Sequence, residues 1–344
     1  MQELSERQRS ILKLVVAEHV STTQPVSSEA VSRKLSMSVS PATVRNEMSA
    51  LEEGGYLYHP HTSAGRLPTE KGYRYFVETL LEARELAFET QQSIRERLRR
   101  RGPDPDEWVD VAAEELASAA RNAALVSAPR AQESRLKHLQ LVCVNDFLSL
   151  LVVVLSDSTL RQQFLSFAEF VSQDEATRMA NHLNARFAGM SAAQIQASEE
   201  PLSGHEGQLV DALLRIMRQV DERRYWDVHY DGLQYMLAQP EFERVERMRQ
   251  VLDLLTEKRA LAEVFVSAHV EDRPLVIIGS AENSSFPLRE CSLVVGRYGE
   301  DGEVSGVLAV LGPMRMEYER AISSVRYLAS LLNELLAELY GWKR

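Results

Sequence analysis

The sequence predicts an α+β fold in which a small helical head precedes a body of strands and helices. In the head, helix caps and apolar spacing mark three short helices followed by a hairpin. In the body, apolar runs of strand length come before and after a group of amphipathic helices. With 344 residues the chain is long enough for two or three domains, and this order suggests a sheet interrupted by a helical insertion. One continuous α+β domain is the alternative.

The first two helices of the head are predicted from their N-terminal caps. Ser5 and Gln8 form a capping box that opens a helix reaching about His19. Ser27 can cap a second helix, with valines on either side placed to pack as a hydrophobic staple. A turn at residues 36–39 then leads into the third helix.

The third helix is predicted to begin at Pro41, after the N-cap Ser40, and to end at Gly54-Gly55. Its i, i+4, i+7 spacing turns three apolar residues toward the core, namely Val44, Met48 and Leu51. The opposite side is small or polar, and an Asn or Arg there can bond bidentately to adenine or guanine in the major groove. The residues that we expect to face DNA on this helix are Ser40, Ala42, Thr43, Arg45, Asn46 and Ser49.

A wing is predicted after the third helix. Residues 56–58 alternate like a strand, and residues 59–66 have the composition of a turn with one strong cation. That cation, Arg66, is a candidate for contact with the minor groove. His59 and His61 could instead suggest a metal, but two histidines on a flexible tip without a thiolate or carboxylate cluster make a poor site.

The composition favours a cytoplasmic protein. No apolar run approaches the ~18 residues of a membrane span, and the N-terminus opens into a capped helix rather than a leader. Cys143 and Cys291 lie in apolar, strand-like runs, which favours buried free thiols over a disulfide, a metal site or a nucleophile.

The net charge of −11 is unevenly distributed. Residues 1–80 contain nine Lys and Arg and nine Asp and Glu, so the acidic excess lies beyond them. Within the head, residues 30–46 carry Arg33, Lys34 and Arg45 without an acid. Because fields are screened within ~8 Å at physiological salt, the local sign decides phosphate contact. The acidic body should repel DNA and limit non-specific binding.

A linker helix is predicted between head and body. Thr69 can cap a helix, and a polar helical stretch continues to Arg101, where Gly102-Pro103 breaks it. Five arginines lie between residues 95 and 101. They could touch phosphate, but cations at a helix C-terminus complement the macrodipole, so the simpler interpretation is that they face water.

The body is predicted to contain two groups of strands separated by helices. The first strands, at 139–144, 148–155 and 159–167, form an antiparallel meander. Helices are expected at 173–187, 206–224 and 241–264, with a loop at 189–204. Strands return at 275–279, 293–298 and 304–311, the last two joined by a turn at Asp301-Gly302.

The last helix, from Met316 to Tyr340, repeats apolar residues at 3-4 spacing, namely Val325, Leu328, Leu332, Leu335 and Leu339. Two heptads are too few to prove a coiled coil. Packing against the sheet is therefore at least as good an interpretation as a dimer seam.

Catalysis is not indicated. The sequence contains none of the common phosphate-binding, nucleophile-elbow or zinc-protease motifs, and no paired C-x-x-C. His205-Glu206 and the stretch His229–Asp231 each place a histidine near a carboxylate, which happens by chance in chains of this length. Residues 279–283 could form a small-molecule loop, but a polar turn is the simpler interpretation.

The motifs at the two ends of the chain resemble those of the HrcA family of heat-inducible transcription repressors, which restrain chaperonin operons in many bacteria. The resemblance rests on Ser40–Met48, Leu51–Leu57, His61–Thr69, Gly72–Arg74 and Gly312–Tyr318. Because these motifs lie at both ends, the resemblance spans essentially the full chain.

The resemblance implies a winged-helix head, a GAF-like sheet domain and an inserted helical dimerisation domain. We therefore expect a DNA-binding domain over 1–80, a linker helix over 81–104, a GAF-like domain over 105–168 and 230–344, and the insertion over 169–229. The dimer contacts are expected first in the helical stretch 173–224 and second in the apolar stripe of the last helix.

The resemblance also implies a function. The chain would repress heat-shock chaperone operons by binding, as a homodimer, an inverted repeat in double-stranded DNA called CIRCE, with the GroE chaperonin keeping it competent. We expect no enzymatic activity, no cofactor, no metal and no membrane association. The alternative is a transcriptional regulator whose GAF-like domain binds a small molecule that sets DNA affinity. A GAF-like fold does not by itself establish a ligand.

Overall fold

A computed structural model describes most of the chain in two compact units. The residues described are 4–35, 39–61, 64–81, 85–131, 133–156, 158–198, 204–222, 228–256, 274–279, 291–300 and 304–342. The first unit comprises residues 1–128, 228–298 and 307–344, and the second comprises residues 129–227 and 299–306. Among the described residues, no helix combines the length and the apolar character needed to cross a membrane.

The head of the first unit is a winged helix. Its elements are α1 (Glu6–Thr22), α2 (Ser28–Lys34), α3 (Pro41–Glu53), β1 (Leu57–Tyr58) and β2 (Leu67–Pro68). The capping box of Ser5 and Gln8 and the N-cap role of Ser27 are both present. The three helices share a core that includes Ile11, Leu12 and Val15, which are fully buried. The predicted turn at 36–39 lies largely outside the described residues.

Three helical segments follow the head: α4 (Glu70–Tyr75), which continues as one π-helical turn (Phe76–Leu80), α5 (Phe88–Arg99) and α6 (Pro105–Ala120). As predicted, Thr69 caps α4 by accepting from the backbone N–H of Gly72. The predicted break after Arg101 is also present, because Asp104 caps a new helix that starts at Pro105.

The sheet domain of the first unit is built on strands β3 (Ala123–Ser127), β8 (Val228–Asp231), β9 (Leu275–Ile278), β10 (Cys291–Gly299) and β11 (Val304–Pro313). Their order in the sheet is β8-β3-β11-β10-β9, and the pairs β3–β8, β3–β11 and β9–β10 are antiparallel. The predicted α+β class is confirmed. The described residues also form α10 (Leu233–Leu237), a 3₁₀ turn (Pro240–Phe242) and α11 (Val245–Thr256).

The last helix, α12 (Tyr318–Tyr340), packs inside the sheet domain. Val325, Leu328, Leu332 and Leu335 of the apolar stripe are buried in the same core as α6, and Leu339 is partly exposed. The stripe therefore serves internal packing, and the alternative of a dimer seam on α12 does not fit the structure.

The arginines of α5 do not simply face water, as the sequence suggested. Arg95 pairs with Glu334 of α12 at 2.7 Å, and Arg97 pairs with Glu114 of α6 at 2.7 Å. Arg99 reaches Glu338 of α12 at 3.3 Å. Arg97 and Arg99 do lie in the last turn of α5, but the expectation that these side chains only face water was wrong, because acids of α6 and α12 lie opposite them.

The second unit combines a three-stranded meander with helices. Its main elements are β5 (Leu136–Asn145), β6 (Leu148–Leu155), β7 (Leu160–Ser166), α7 (Gln173–Phe187), α8 (Ala192–Gln196) and α9 (Gly204–Glu222), preceded by the two-residue β4 (Arg130–Ala131). The strands pair antiparallel in the order β5-β6-β7, as predicted. The predicted loop at 189–204 contains the short helix α8, which begins with a capping box of Ser191 and Gln194.

The structure divides sheet from insertion differently from the predicted boundaries. The meander forms its own sheet and buries residues such as Leu139 and Val153 against helices α7 and α9. The second unit, which interrupts the first along the chain, therefore begins near residue 129 rather than 169, and it is not purely helical. The order of strands and helices along the chain could not reveal this, because pairing partners are chosen by tertiary packing.

Two smaller predictions met mixed outcomes. Cys291 is buried and free, whereas the free thiol of Cys143 is partly exposed, with its Sγ 3.5 Å from the carbonyl oxygen of Val171. The candidate loop 279–283, the turn at Asp301-Gly302 and the predicted helix beyond Thr256 lie mostly outside the described residues.

Candidate DNA-binding surface

The recognition helix α3 has the boundaries and the orientation that its sequence predicts. The Ser40 side chain accepts from the backbone N–H of Thr43 at 3.2 Å, and Pro41 opens the first turn. At the other end, the helix gives way to Gly55, whose φ of +75° lies in the left-handed region that glycine tolerates best. The apolar residues Val44, Met48 and Leu51 are all buried. One face of the helix is thereby fixed against the core, and the opposite face is free to meet a ligand.

Five of the six contact residues predicted on α3 fall into two groups. Ala42, Arg45 and Asn46 are exposed, and among the described residues no hydrogen bond involves the Asn46 side chain. Ser40 and Thr43 are engaged in the N-cap, with their hydroxyl oxygens 2.9 Å apart. The helix therefore presents one small residue, one cation and one unpaired amide, which suit close approach and base recognition.

Arg45 is held only weakly. Its guanidinium lies 3.7 Å from the carboxylate of Glu29 on α2, and the two side chains are 68% and 58% exposed. Exposed ion pairs of this kind contribute about 0–1 kcal/mol. Glu29 therefore orients Arg45 loosely, and a phosphate or a guanine edge can compete for it.

The wing folds back on the start of α2. Strands β1 and β2 pair antiparallel, and Arg66 forms two backbone hydrogen bonds with Val26, each 2.9 Å long. Gly65 is needed for this approach, because a Cβ at that position would lie 2.4 Å from the backbone of Val26. The base of the wing is therefore tied to the start of α2.

Arg66 does not occupy the groove-facing position that the sequence suggested. Its side chain is only 9% exposed, and it donates to Glu52 at 3.1 Å and to Ser49 at 2.7 Å. Ser49 in turn donates to the backbone oxygen of Arg45 at 3.1 Å. The guanidinium group forms its hydrogen bonds inside the head. Arg66 therefore connects the wing to α3, and Ser49 is part of the same connection.

Glu52 is the residue of this cluster that the sequence analysis missed. Its carboxylate accepts from Arg66 and from His59 Nδ1, 2.7 Å away, so it holds both arms of the wing. Partial burial favours the neutral acid, but the hydrogen bonds from His59 and Arg66 outweigh it and lower the pKa of Glu52. The position of Glu52, one helical turn after Ser49 on the same face of α3, was the available signal.

The cations of the head are paired to differing degrees. Lys34 pairs with Glu18, Arg74 pairs with Glu70 at 2.5 Å, and Lys71 donates to the Gly54 carbonyl at 2.7 Å. In the folded head, cations of the acid-free stretch around Lys34 therefore pair with acidic residues of α1 and α2. Contact with phosphates requires exchange of these partners, which is inexpensive for exposed pairs.

His59 is occupied by Glu52, and the described residues contain no group of three or more His, Cys, Asp or Glu side chains that could hold a metal ion. The arrangement of α3 and the wing is instead that of a DNA-binding head. Comparison with known proteins agrees with this assignment.

A family model described as the HrcA protein C-terminal domain matches residues 106–322. The heat-inducible transcription repressor HrcA of Roseiflexus castenholzii is 44% identical, and the match covers 98% of this chain and 96% of that protein. The chain belongs to the HrcA family. The HrcA repressor of Herpetosiphon aurantiacus is 42% identical, with 99% of this chain and 98% of that protein covered.

Two further comparisons concern the fold of this HrcA-family chain. A second family model, the LexA DNA binding domain, matches residues 1–65, which contain α1 to α3 and most of the wing. A crystal structure of a hypothetical protein at 2.2 Å resolution has a TM-score of 0.63 at 21% identity and covers 98% of this chain and 100% of that chain. This structural likeness extends over the head, the sheet domain and the second unit, and it concerns the fold alone.

Proposed function

We propose that this chain represses heat-shock chaperone operons by binding, as a homodimer, an inverted repeat of the CIRCE type in double-stranded DNA. The observation that carries the proposal is the exposed pair Arg45 and Asn46 on α3, beside a wing anchored to the same helix by Arg66. An amide and a guanidinium on one groove-facing helix provide direct contacts to purine edges. Ala42 lets the backbone approach closely.

A dimer is supported by the outer face of the second unit's sheet. Along β6, buried residues alternate with half-exposed Leu148, Leu150, Val152 and Val154, so the strand is apolar on both faces. Leu150 lies between Val142 of β5 and Phe164 of β7 in the register, and these two are 38% and 62% exposed. An antiparallel sheet with one face in water normally alternates apolar and polar residues.

We infer that a second copy of the chain covers this face. An exposed apolar patch of this kind is a common mark of a protein interface. The helices that were expected to supply the dimer contacts turn their apolar residues inward, such as Leu183 of α7 and Leu213 of α9, both fully buried. The sheet face is therefore the better candidate, and the proposed dimerising segment is residues 129–227.

Two identical heads related by a two-fold axis match the symmetry of an inverted repeat. A single winged head buries too little surface for tight, specific binding, whereas two heads on one DNA molecule reinforce each other. The involvement of the GroE chaperonin enters the proposal through the family resemblance. We further propose that the chain acts in the cytoplasm and catalyses no reaction.

Protection of DNA tests this proposal. The purified protein is incubated with the promoter of a chaperonin operon from the same organism, with and without chaperonin, and cleavage of both strands is mapped. We expect two protected half-sites about one or two helical turns apart, with stronger protection in the presence of chaperonin. Protection of unrelated DNA at the same protein concentration would contradict the proposal.

The alternative, a regulator controlled by a small molecule, has one observation in its favour. A cavity of about 440 Å³ in the first unit is lined by Val16 and Val20 of α1 and by Met316 and Tyr318 at the start of α12. The alternative expected a pocket in the GAF-like domain, and this cavity is lined partly by the head and partly by residues 316–323 of that expected domain. A shift of operator affinity by a small apolar molecule, in the absence of chaperonin, would favour this alternative.

A further inference from the structure

The segment Gly312–Tyr318, which carries part of the family resemblance, plays no part in the candidate DNA-binding surface. It joins β11, the middle strand of the five, to α12. At its centre is Arg315, whose side chain is only 13% exposed. Because an unpaired buried charge is strongly unfavourable, this nearly buried cation needs hydrogen-bond and charge partners.

Within the sheet domain, the partner of Arg315 is Glu241. The Arg315 Nε donates to one carboxylate oxygen, and Nη2 donates to the other at 3.0 Å, so the pair is bidentate. Glu241 lies in the 3₁₀ turn Pro240–Phe242. Because a bidentate pair fixes the plane of the guanidinium, it also fixes the direction in which the remaining nitrogen points.

That remaining nitrogen points at the head. Arg315 Nη1 donates to the backbone oxygen of Val20 at 3.4 Å, in the last turn of α1. A cation there complements both the unsatisfied carbonyls and the negative end of the helix dipole. Helix α1 packs on the recognition helix in the common core of the head, and Arg7 of α1 pairs with Glu47 of α3 at 3.3 Å. A displacement of α1 would therefore also displace α3.

A second contact acts beside the first. The ring of Tyr73, on the helix α4 that directly follows the head, lies 6.2 Å from the ring of Tyr318. Tyr318 is held by its hydroxyl group, which donates to the Met314 carbonyl at 2.6 Å and lies 2.8 Å from Ser292 Oγ. The same short segment therefore contacts α1 of the head through a cation and the adjoining helix α4 through an aromatic ring.

Two cavities lie beside the α1 contact. The cavity of about 440 Å³ described above lies on one side of Val20 and Met316. A second cavity, of about 320 Å³, is lined by the same two residues and by Arg121 and Gln239. Close packing normally fixes how two elements lie together, so on these two sides the hydrogen bond from Arg315 to Val20 has a larger share in holding the end of α1.

We propose that Arg315 is a positioning residue that holds the winged head at a fixed angle on the sheet domain and thereby sets the half-site spacing that the dimer accepts. This inference rests on the proposed dimeric binding to an inverted repeat. Insertion of one base pair between half-sites rotates one of them by about 34–36° around the DNA axis. A head held rigidly cannot follow such a rotation, whereas a loosely held head can.

Operator spacing measures this effect directly. The wild type, Arg315→Met and Glu241→Gln are titrated against inverted repeats whose spacer is natural, one base pair shorter or one base pair longer, and against a single half-site. Both variants should prefer the natural spacer less strongly, with the ratio of affinities reduced about tenfold, equivalent to 1.4 kcal/mol. Affinity for the single half-site should stay unchanged, because neither residue belongs to the DNA-binding surface. Arg326→Met, an exposed arginine on α12, is the matched control.

A measurement without DNA separates this inference from the proposed function. Spin labels at Glu53→Cys in the head and Ser330→Cys on α12, both exposed positions, report their distance in a Cys143→Ser background. We expect one narrow distance distribution in the wild type and a broader one in Arg315→Met and Glu241→Gln. A wild type that does not distinguish the inverted repeat from random DNA would overturn the proposed function, while the label distances still test Arg315. Unchanged spacing profiles and distances, or an equal loss of affinity for half-site and full operator, would overturn the role of Arg315.

Discussion

The winged head and the second unit bury their apolar residues with opposite results. In the head, the three helices enclose nearly all large apolar side chains. Among the described residues of the head, Tyr58 is the only large apolar residue that is exposed. In the second unit, the helices cover one face of the meander, and the other face exposes Val142, Leu160 and Phe164. Val144, Phe147 and Phe170 of this unit are exposed as well. The head offers polar groups suited to a charged polymer. The second unit offers a surface suited to another apolar surface, so the proposed DNA contact and the proposed dimer contact lie in different units.

The largest effect is expected from placing a charge on the apolar sheet face. Phe164→Asp should prevent dimerisation, because a carboxylate cannot be buried without a partner at the interface. Loss of the second head should then weaken operator binding by about 10²–10⁴-fold. Sedimentation and operator titration measure both effects. Phe88→Asp, an equally exposed phenylalanine on α5, is the control, and a fully dimeric Phe164→Asp protein would show that assembly uses another surface.

The next effect concerns base recognition by the head. Asn46→Ala should lose about 1–3 kcal/mol at the cognate operator and should discriminate less among mutated operators. Affinities for cognate, mutated and random DNA are compared with those of Asn181→Ala, an exposed asparagine on α7 of the second unit. If binding to all three DNA molecules weakens equally, Asn46 contacts the backbone of DNA rather than its bases.

A smaller effect should follow removal of the connection between wing and recognition helix. Arg66→Met should lower the free energy of unfolding by about 1–2 kcal/mol, since charge-assisted hydrogen bonds to Glu52 and Ser49 are lost. The dependence of operator affinity on salt should stay unchanged, because the cation is neutralised inside the head. Denaturant unfolding and salt titrations give the two quantities. If the slope of log affinity against log salt concentration fell by about one unit, Arg66 would instead contact the phosphate backbone.

The smallest effect is a pH dependence of the head. Because the pKa of Glu52 is lowered in the folded state, its ionised form stabilises the fold above the ordinary value of 4.5, and this contribution is lost as pH falls through the lowered pKa. The wild type should therefore lose more thermal stability than Glu52→Gln between pH 5 and about pH 3. Glu53→Gln, at an exposed neighbouring position, is the control. Parallel curves for the wild type and Glu52→Gln would mean that the ion cluster does not stabilise the head.

Local signals predicted the head well because its boundaries depend on neighbours in sequence. The N-caps Ser5, Ser27 and Ser40 and the glycines after α3 act within four residues of their own position, and the structure contains each of them. The exposed face of α3 follows from the same argument, since buried positions at helical spacing leave the opposite side in water.

The failures of prediction involve partners distant in sequence. Arg66 was placed in the groove because nothing near it in sequence reveals Glu52 and Ser49 as its partners. The meander was correctly recognised as three strands but was assigned to the wrong sheet, because strand composition does not identify which helices will cover a face. The arginines of α5 were similarly separated by more than 200 residues from the acids of α12 that they meet.

The ladder of ion pairs between α5 and α12 bears on how the molecule responds to heat. Arg95 and Arg99 share Glu334, and Arg99 also reaches Glu338, so the pairs form a small network rather than isolated contacts. The cost of removing charged groups from water falls as temperature rises, so such networks hold comparatively better in warm conditions than at 25 °C. Warming should therefore leave α5 attached to α12 while other parts of the chain open. We expect hydrogen exchange in a heated sample to increase in the head and in the second unit before it increases along α5.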